Sequence, residues 1–510
     1  MSDDPDLIRV DGTDRVFRRS RILVVLLIPI AMALIAVSSI NVALPTISQT
    51  LGATDSDLQW VLSGYALTFG ITLVPAGRAG DVLGRGAFFV IGLLVFSLAS
   101  LACGLAPTPE LLNVARFAQG IGAGLYNPQT MGMIQQYWQG MERARAFALF
   151  GTVVAVSVAV GPVLAGGIIQ VFGPEAGWRA TFLINFPLGL LGCVLALCWF
   201  PFGKERARRA ARRAARLARK ARTSAGVVAA AVPRLKVDLD PVGATLLALA
   251  VLCVMLPFMS DGGGVIWLLL TAGVALVVLW CLWERRYKAR GRAPMVDLAL
   301  FSFPSFSNGT AVAGTFFLGS TSIFVVVALY MQNGLGASAL ETGLIGLPNA
   351  VVSAFASIWA GRHALTRGRT IVIGALGCLI AGVALSVAVA LLVEAFGISF
   401  WWLALPLTLV GMGQGALGSA NQTLSLQDVP TGYGGTAGGV KSTAERIGTA
   451  IGNAMITAIF FGAVGAGAWE TGFAAAFGAI CLCLVVALLV AVHDRRISGN
   501  GPAVAPGVSR

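Results

Sequence analysis

Fourteen apolar runs of about 20 residues, separated by short polar or Gly/Pro breaks, govern what this chain can fold into. A helix of that length covers the roughly 30 Å hydrocarbon thickness of a bilayer, and a helix satisfies its own backbone polar groups there. The runs lie near 22–46, 58–77, 86–106, 111–134, 146–169, 180–200, 240–259, 264–283, 306–331, 341–361, 370–393, 399–420, 434–461 and 470–492. Their continuous apolarity excludes an outer-membrane barrel, whose strands alternate. With 57% hydrophobic and 12% charged residues and a mean hydropathy of +0.82, no polar stretch is long enough for a soluble domain. The expected class is an all-α polytopic membrane protein with both termini on one side.

Basic residues say which side, because short loops rich in Lys and Arg stay in the cytoplasm during insertion. The terminal segments and the alternate loops on their side hold 32 of the 36 basic residues, whereas the opposite loops hold Arg179 alone. Both termini are therefore expected to be cytoplasmic, in a multi-pass protein of the cytoplasmic (inner) cell membrane. The first 20 residues carry no apolar core or small-residue cleavage site, so no signal peptide is expected. Residues 201–237 carry twelve basic residues against Glu205, a balance of +11 within the net +13 of the whole chain. This Ala/Arg-rich loop reads as a solvated, topology-fixing linker suited to anionic lipid headgroups. It lacks the interleaved aromatics of a nucleic-acid surface, and no nucleic-acid partner is expected.

The eight cysteines fall within apolar runs and read as packing residues. Two histidines and no clustered ligand set argue against a metal site. No phosphate-binding loop or catalytic constellation is visible, so no cofactor, no ATP-driven transport and no enzyme activity are expected.

Between spans two and three stands Gly77-Arg78-Ala79-Gly80-Asp81-Val82-Leu83-Gly84-Arg85, and a degraded copy, Gly361 to Arg369, links spans ten and eleven. Two copies in corresponding places imply two six-helix halves with spans seven and eight inserted between them. At this point the chain resembles the major facilitator superfamily, specifically its fourteen-span drug:proton antiporter branch. The first copy is similar to the superfamily's loop motif, built on Gly77, Asp81, Gly84 and Arg85. Leu112, Arg116, Gln119, Gly120 and Gly122 match the span-four motif whose arginine is implicated in proton transfer. Gly161-Pro162-Val163-Leu164-Ala165-Gly166-Gly167 resembles the antiporter motif. Asn41-Val42-Ala43-Leu44-Pro45, the run from Trp178 to Gly189, and Leu329-Tyr330-Met331-Gln332-Asn333 with Glu341-Thr342-Gly343 match the branch more finely.

The resemblance implies the major facilitator fold: a tail at 1–21, a six-helix bundle at 22–200, a basic loop at 201–239, two inserted helices at 240–283, a loop at 284–305, a second bundle at 306–492 and a tail at 493–510. It makes Gly161, Pro162, Gly166 and Gly167 part of a seal between halves; by chemistry alone they form a bend and a close-packing surface. Arg116, about five residues inside span four, marks a pathway unless it snorkels to the outer interface. Asn41, Gln119, Tyr126, Asn127, Gln332 and Asn333 are cavity candidates.

One departure matters. Where the branch usually has an aspartate, five residues before Asn41, this chain has Ala36. Span thirteen offers a replacement: Lys441 and Glu445 stand four apart on one helical face, with Arg446 beside them. Counted from Gly434, Glu445 sits ~16 Å into the span. Counted from Ile447, which begins a run long enough to span by itself, these charges belong to the cytoplasmic headgroup region. The expected function is a secondary active exporter of small amphipathic or hydrophobic compounds, working by alternating access with proton antiport. Its expected partners are a small-molecule substrate, protons and membrane lipids, and its expected state is a monomer. The missing aspartate keeps a second reading open, an exporter or uniporter of one endogenous metabolite or lipid without conventional proton coupling. A non-transporting receptor or scaffold is the reading from another class.

Overall fold

The computed structural model describes residues 6–9, 16–202, 238–259, 265–466 and 469–498. Most of the basic loop lies outside the described residues. Among the described residues, eleven helical stretches are long and apolar enough to cross a membrane.

In the first half these are α1 (Arg19–Leu51), α2 (Asp55–Leu83), α3 (Arg85–Leu105), and α5 (Gly140–Leu183) running on into α6 (Asn185–Trp199). The 60-residue stretch through α5 and α6 is broken at Gly173, whose φ of 80° and ψ of 172° are not helical. Between α3 and α5 lies α4 (Pro109–Tyr137). Arg116, Gln119, Asn127, Gln129, Gln135 and Gln136 dilute its apolar content, and it is not among the eleven. It nevertheless packs along both α2 and α3, at the heart of the half.

The inserted pair is α7 (Pro241–Met255) and α8 (Val265–Ala289), packed on each other with α7 against α2. The second half begins with α9 (Pro304–Ser320) and the short α10 (Ile323–Leu329) and α11 (Ala339–Ile345). It continues with α12 (Leu347–Phe396), α13 (Ala404–Ser425), α14 (Gly434–Ala466) and α15 (Trp469–Ser498). The 50-residue α12 has its own non-helical residue, Arg367, inside the degraded motif copy. Sharp ends come from local chemistry. Thr54 and Asp57 form a reciprocal capping box before α2, Ser338 and Glu341 do so before α11, and left-handed Gly52 and Gly397 close α1 and α12.

Two large apolar clusters form the interior, and the first also takes in Phe306, Leu426, Val429 and Ala437 of the second half. One gathers buried side chains such as Phe89, Phe96, Tyr126 and Phe147; the other gathers Tyr330, Leu379, Phe473 and Phe477. The halves meet where α5 packs on α12 and where α14 packs on α2 and α4. Within the amino-terminal tail an antiparallel pair forms, β1 (Leu7–Arg9) with β2 (Val16–Arg18), in the register Ile8 to Phe17. Ile8 and Phe17 bury themselves in the first core. The Asp6 carboxylate accepts from the Ser20 backbone N–H and hydroxyl, both at 2.7 Å, which ties this hairpin to the start of α1.

Candidate functional site

The loop motif folds into a latch between the halves. Arg85 donates from Nε and Nη2 to Asp81 Oδ1, at 2.9 and 2.6 Å, and both side chains are buried. The same carboxylate reaches across to the amino terminus of α14. It accepts from the backbone N–H of Gly435 at 3.0 Å, and from the N–H and hydroxyl of Thr436 at 2.7 and 2.8 Å. The first amides of a helix have no partner within it and carry the positive end of its dipole, so a carboxylate belongs there. Arg85 also donates to Thr431 O at 2.7 Å, Gly132 O at 2.6 Å and Gln136 Oε1 at 2.8 Å. From α4, Gln135 Nε2 donates to Leu426 O and Val429 O of the second half. Gly77 makes the contact sterically possible, because a Cβ there would stand 2.3 Å from Gly435 O. Gly84, with φ of 123°, turns the chain from α2 into α3.

The second copy does something else. Its position matching Asp81 holds Leu365, and Arg369 donates to Asp494 of α15 at 2.9 Å, which also receives Asn308 of α9 at 2.8 Å. This ionic contact stays within one half.

Deeper in the helices lies a second polar set. Arg116 is 1% exposed; its Nε donates to Val61 O at 2.8 Å and its Nη1 to Gln119 Oε1 at 2.6 Å. Gln119 Nε2 passes on to Ser100 Oγ at 2.7 Å. The guanidinium lies 4.5 Å over the Tyr65 ring and 5.9 Å from that of Phe182. On α14, Lys441 is 2% exposed, is hydrogen-bonded to Gln422 of α13 and stands 3.9 Å from Glu445. The expected helical pairing of Lys441 with Glu445 is thus present, and the Glu445 side chain keeps 15% of its surface exposed. Arg446 lies 5.3 Å over Phe69 and 5.8 Å over Phe317. Ala36 is buried and brings no charge.

The remaining expected residues scatter. A Cβ on Gly161 would meet Ser38 Oγ at 1.9 Å, so its close approach is to α1 of its own half. Gly166 and Gly167 would meet nothing within 4 Å, so in this conformation they pack against no partner helix. Pro162 lies inside α5, next to Gly161. Among the cavity candidates, Asn41, Gln332 and Asn333 are exposed, Asn127 is half-buried, and Gln119 and Tyr126 are fully buried. Tyr126 donates its hydroxyl to Pro29 O at 2.9 Å, a contact within the core of the first half. Gln422 was not among the candidates. Its signal is the Asn421-Gln422-Thr423 run in span twelve, which repeats the Asn127-Pro128-Gln129-Thr130 run of span four with the proline removed. Among the described residues no group of three His, Cys, Asp or Glu side chains could hold a metal ion.

The model of the Major Facilitator Superfamily matches residues 26–453. The chain belongs to the major facilitator superfamily. Among relatives of this major facilitator protein, the "Probable actinorhodin transporter" of Streptomyces coelicolor is 32% identical over 83% of this chain and 69% of that protein. The "Methylenomycin A resistance protein" of the same organism is 27% identical over 89% and 88%. The "Tetracenomycin C resistance and export protein" of Streptomyces glaucescens is 26% identical over 86% and 76%. The human organic anion transporter MFSD10 superposes with a TM-score of 0.64 at 13% identity, covering 92% of this chain and 99% of that one; this likeness is one of fold.

Proposed function

We propose that this major facilitator protein is a secondary active exporter of small amphipathic or hydrophobic compounds across the cytoplasmic membrane, cycling by alternating access in exchange for protons. The observation that carries the reading is the Asp81 latch. It joins the two halves on the side richest in Lys and Arg, while a Cβ on Gly166 or Gly167, towards the other end of α5, would meet nothing within 4 Å. Two halves held together at one end are what one of the two states of alternating access requires. Outward direction is supported by relatives named for resistance and export. Fourteen crossings with cytoplasmic termini are supported by the eleven apolar stretches, by the breaks at Gly173 and Arg367 within two of them, and by α4.

Proton exchange is assigned to Glu445. It lies about three helical turns into α14, and it stands 3.9 Å from Lys441. Ala36 favours a second reading, export without conventional proton coupling. Inverted membrane vesicles test both. Respiring vesicles that contain the protein should accumulate an uncharged or charged lipophilic dye in the lumen, and an uncoupler should abolish the accumulation. Accumulation that survives the uncoupler would favour the second reading. Accumulation no greater than in vesicles lacking the protein would contradict export altogether.

A further inference from the structure

The charges set deep in the helices do not balance. Among the described residues, four formally charged side chains lie there: Arg116, Lys441, Glu445 and Arg446. Lys441 and Glu445 stand 3.9 Å apart and offset each other. The two arginines remain, and an arginine stays protonated in a protein. Among the described residues neither has a carboxylate within ion-pairing distance, and Ala36 adds none.

They differ in how well they are satisfied. The guanidinium of Arg116 donates to Val61 O and Gln119, in the arrangement of a fixed structural cation. Arg446 has a buried Nε with no hydrogen-bond partner, and its guanidinium touches two aromatic faces, Phe69 and Phe317. Those faces come from different halves, α2 and α9, so the group sits between the moving bodies. Tyr65 and Phe69, with ring centroids 5.9 Å apart, link the two arginines along α2. An orphaned buried donor is costly, and at membrane depth an unpaired cation more so, unless something negative visits it.

Resting on the exporter reading, we infer that the transported compound is an aromatic anion, whose carboxylate, sulfonate or phenolate binds Arg446 while its rings lie against Phe69 and Phe317. The charge of the cargo has an energetic consequence. A cell interior negative by 100 mV favours an outside position for a monovalent anion by about fifty-fold, and opposes export of a cation by the same factor. The electropositive axis therefore suits a cargo that the membrane potential itself helps to expel.

The test uses the full chain in inverted vesicles with three probes: anilinonaphthalene sulfonate, phenylnaphthylamine, which has the same rings without the sulfonate, and tetraphenylphosphonium. A potassium diffusion potential, lumen positive and without a pH gradient, reproduces the cellular sign. The wild-type protein should accumulate the sulfonate and exclude tetraphenylphosphonium. Arg446→Gln should raise the KM for the sulfonate about tenfold or more and leave that for phenylnaphthylamine unchanged, and Arg446→Lys should recover much of the loss. Transport of tetraphenylphosphonium in preference to the sulfonate would overturn the anion assignment and leave export standing. An Arg446→Gln effect equal for all probes would also overturn it, since a purely structural role acts that way. No accumulation of any probe beyond that of vesicles lacking the protein would remove the exporter reading, and this inference with it.

Discussion

The Asp81 carboxylate accepts both the backbone N–H of Thr436, at 2.7 Å, and the hydroxyl of the same residue, at 2.8 Å. A residue at the end of α2 thereby closes the amino terminus of α14, 355 positions along the chain. In the proposed alternating-access cycle this contact exists in one state and breaks in the other, so it sets their relative populations.

Asp81→Asn keeps the shape and one carbonyl acceptor while removing the charge that Arg85 and the α14 amides share. With charge-assisted hydrogen bonds worth about 2 kcal/mol each, the population should move roughly thirtyfold towards the inward-open state. In a protein whose native cysteines have been replaced, a cysteine at the buried position of Ser442 should be alkylated faster from the cytoplasmic side in the Asp81→Asn background. Equal alkylation rates in the two backgrounds would refute the latch.

The inserted helices are held by a second carboxylate. Asp240, fully buried, accepts from Gly243 N–H at 3.0 Å, from Trp283 Nε1 at 2.9 Å and from Met295 N–H at 3.4 Å. It therefore caps α7, ties it to α8 and fastens the connection leading to α9. Asp240→Ala leaves three donors in place with no acceptor and should cost about 2–4 kcal/mol, lowering the melting temperature in detergent by several degrees. Asp240→Asn, which keeps an acceptor and tolerates the left-handed backbone at φ 44°, should cost less. Identical melting curves for all three proteins would show that the inserted pair is anchored elsewhere.

That connection should also be sensitive to acid. Burial raises the carboxyl pKa of Asp297, but the Lys288 ammonium at 2.7 Å and the Ala299 N–H outweigh it and hold the group below the ordinary aspartate value. For a carboxylate lowered in the folded state, the stabilising contribution is complete above the ordinary aspartate pKa and fades as pH falls through the lowered value. Amide exchange across 290–303 should therefore be unchanged from neutral pH down to the ordinary aspartate range and lose protection below it, after correction for intrinsic rates. Protection that falls between pH 7 and 5 would place its cause in another group.

Sequence periodicity reveals what depends on composition along one helix. The apolar runs and the paired Gly-Arg motifs mark an all-helical major facilitator fold, and the four-residue spacing of Lys441 and Glu445 becomes a 3.9 Å contact. Contacts between distant segments leave no such mark. Asp81 is recognisable from its motif, yet its partners across the halves are two backbone amides and one hydroxyl, at Gly435 and Thr436, that no charged or periodic side-chain pattern announces. Gln422 stands in a run of polar side chains, Asn421-Gln422-Thr423, and the run alone does not say which of them meets Lys441. The Ile8 to Phe17 pairing escapes because two three-residue strands in a polar segment carry too few apolar positions to show a period. The Gly166-Gly167 pair illustrates the converse. Small residues announce a capacity for close approach, whereas the conformational state decides whether that approach is realised.

The central claim, export in exchange for protons through Glu445, is tested most directly by proton movement in proteoliposomes carrying a lumenal pH dye. Addition of a transported compound to wild-type proteoliposomes should drive protons opposite to the compound. Glu445→Gln should abolish that movement while the compound still exchanges downhill. Proton movement that persists unchanged in Glu445→Gln, or wild-type transport with no proton movement, would contradict the claim.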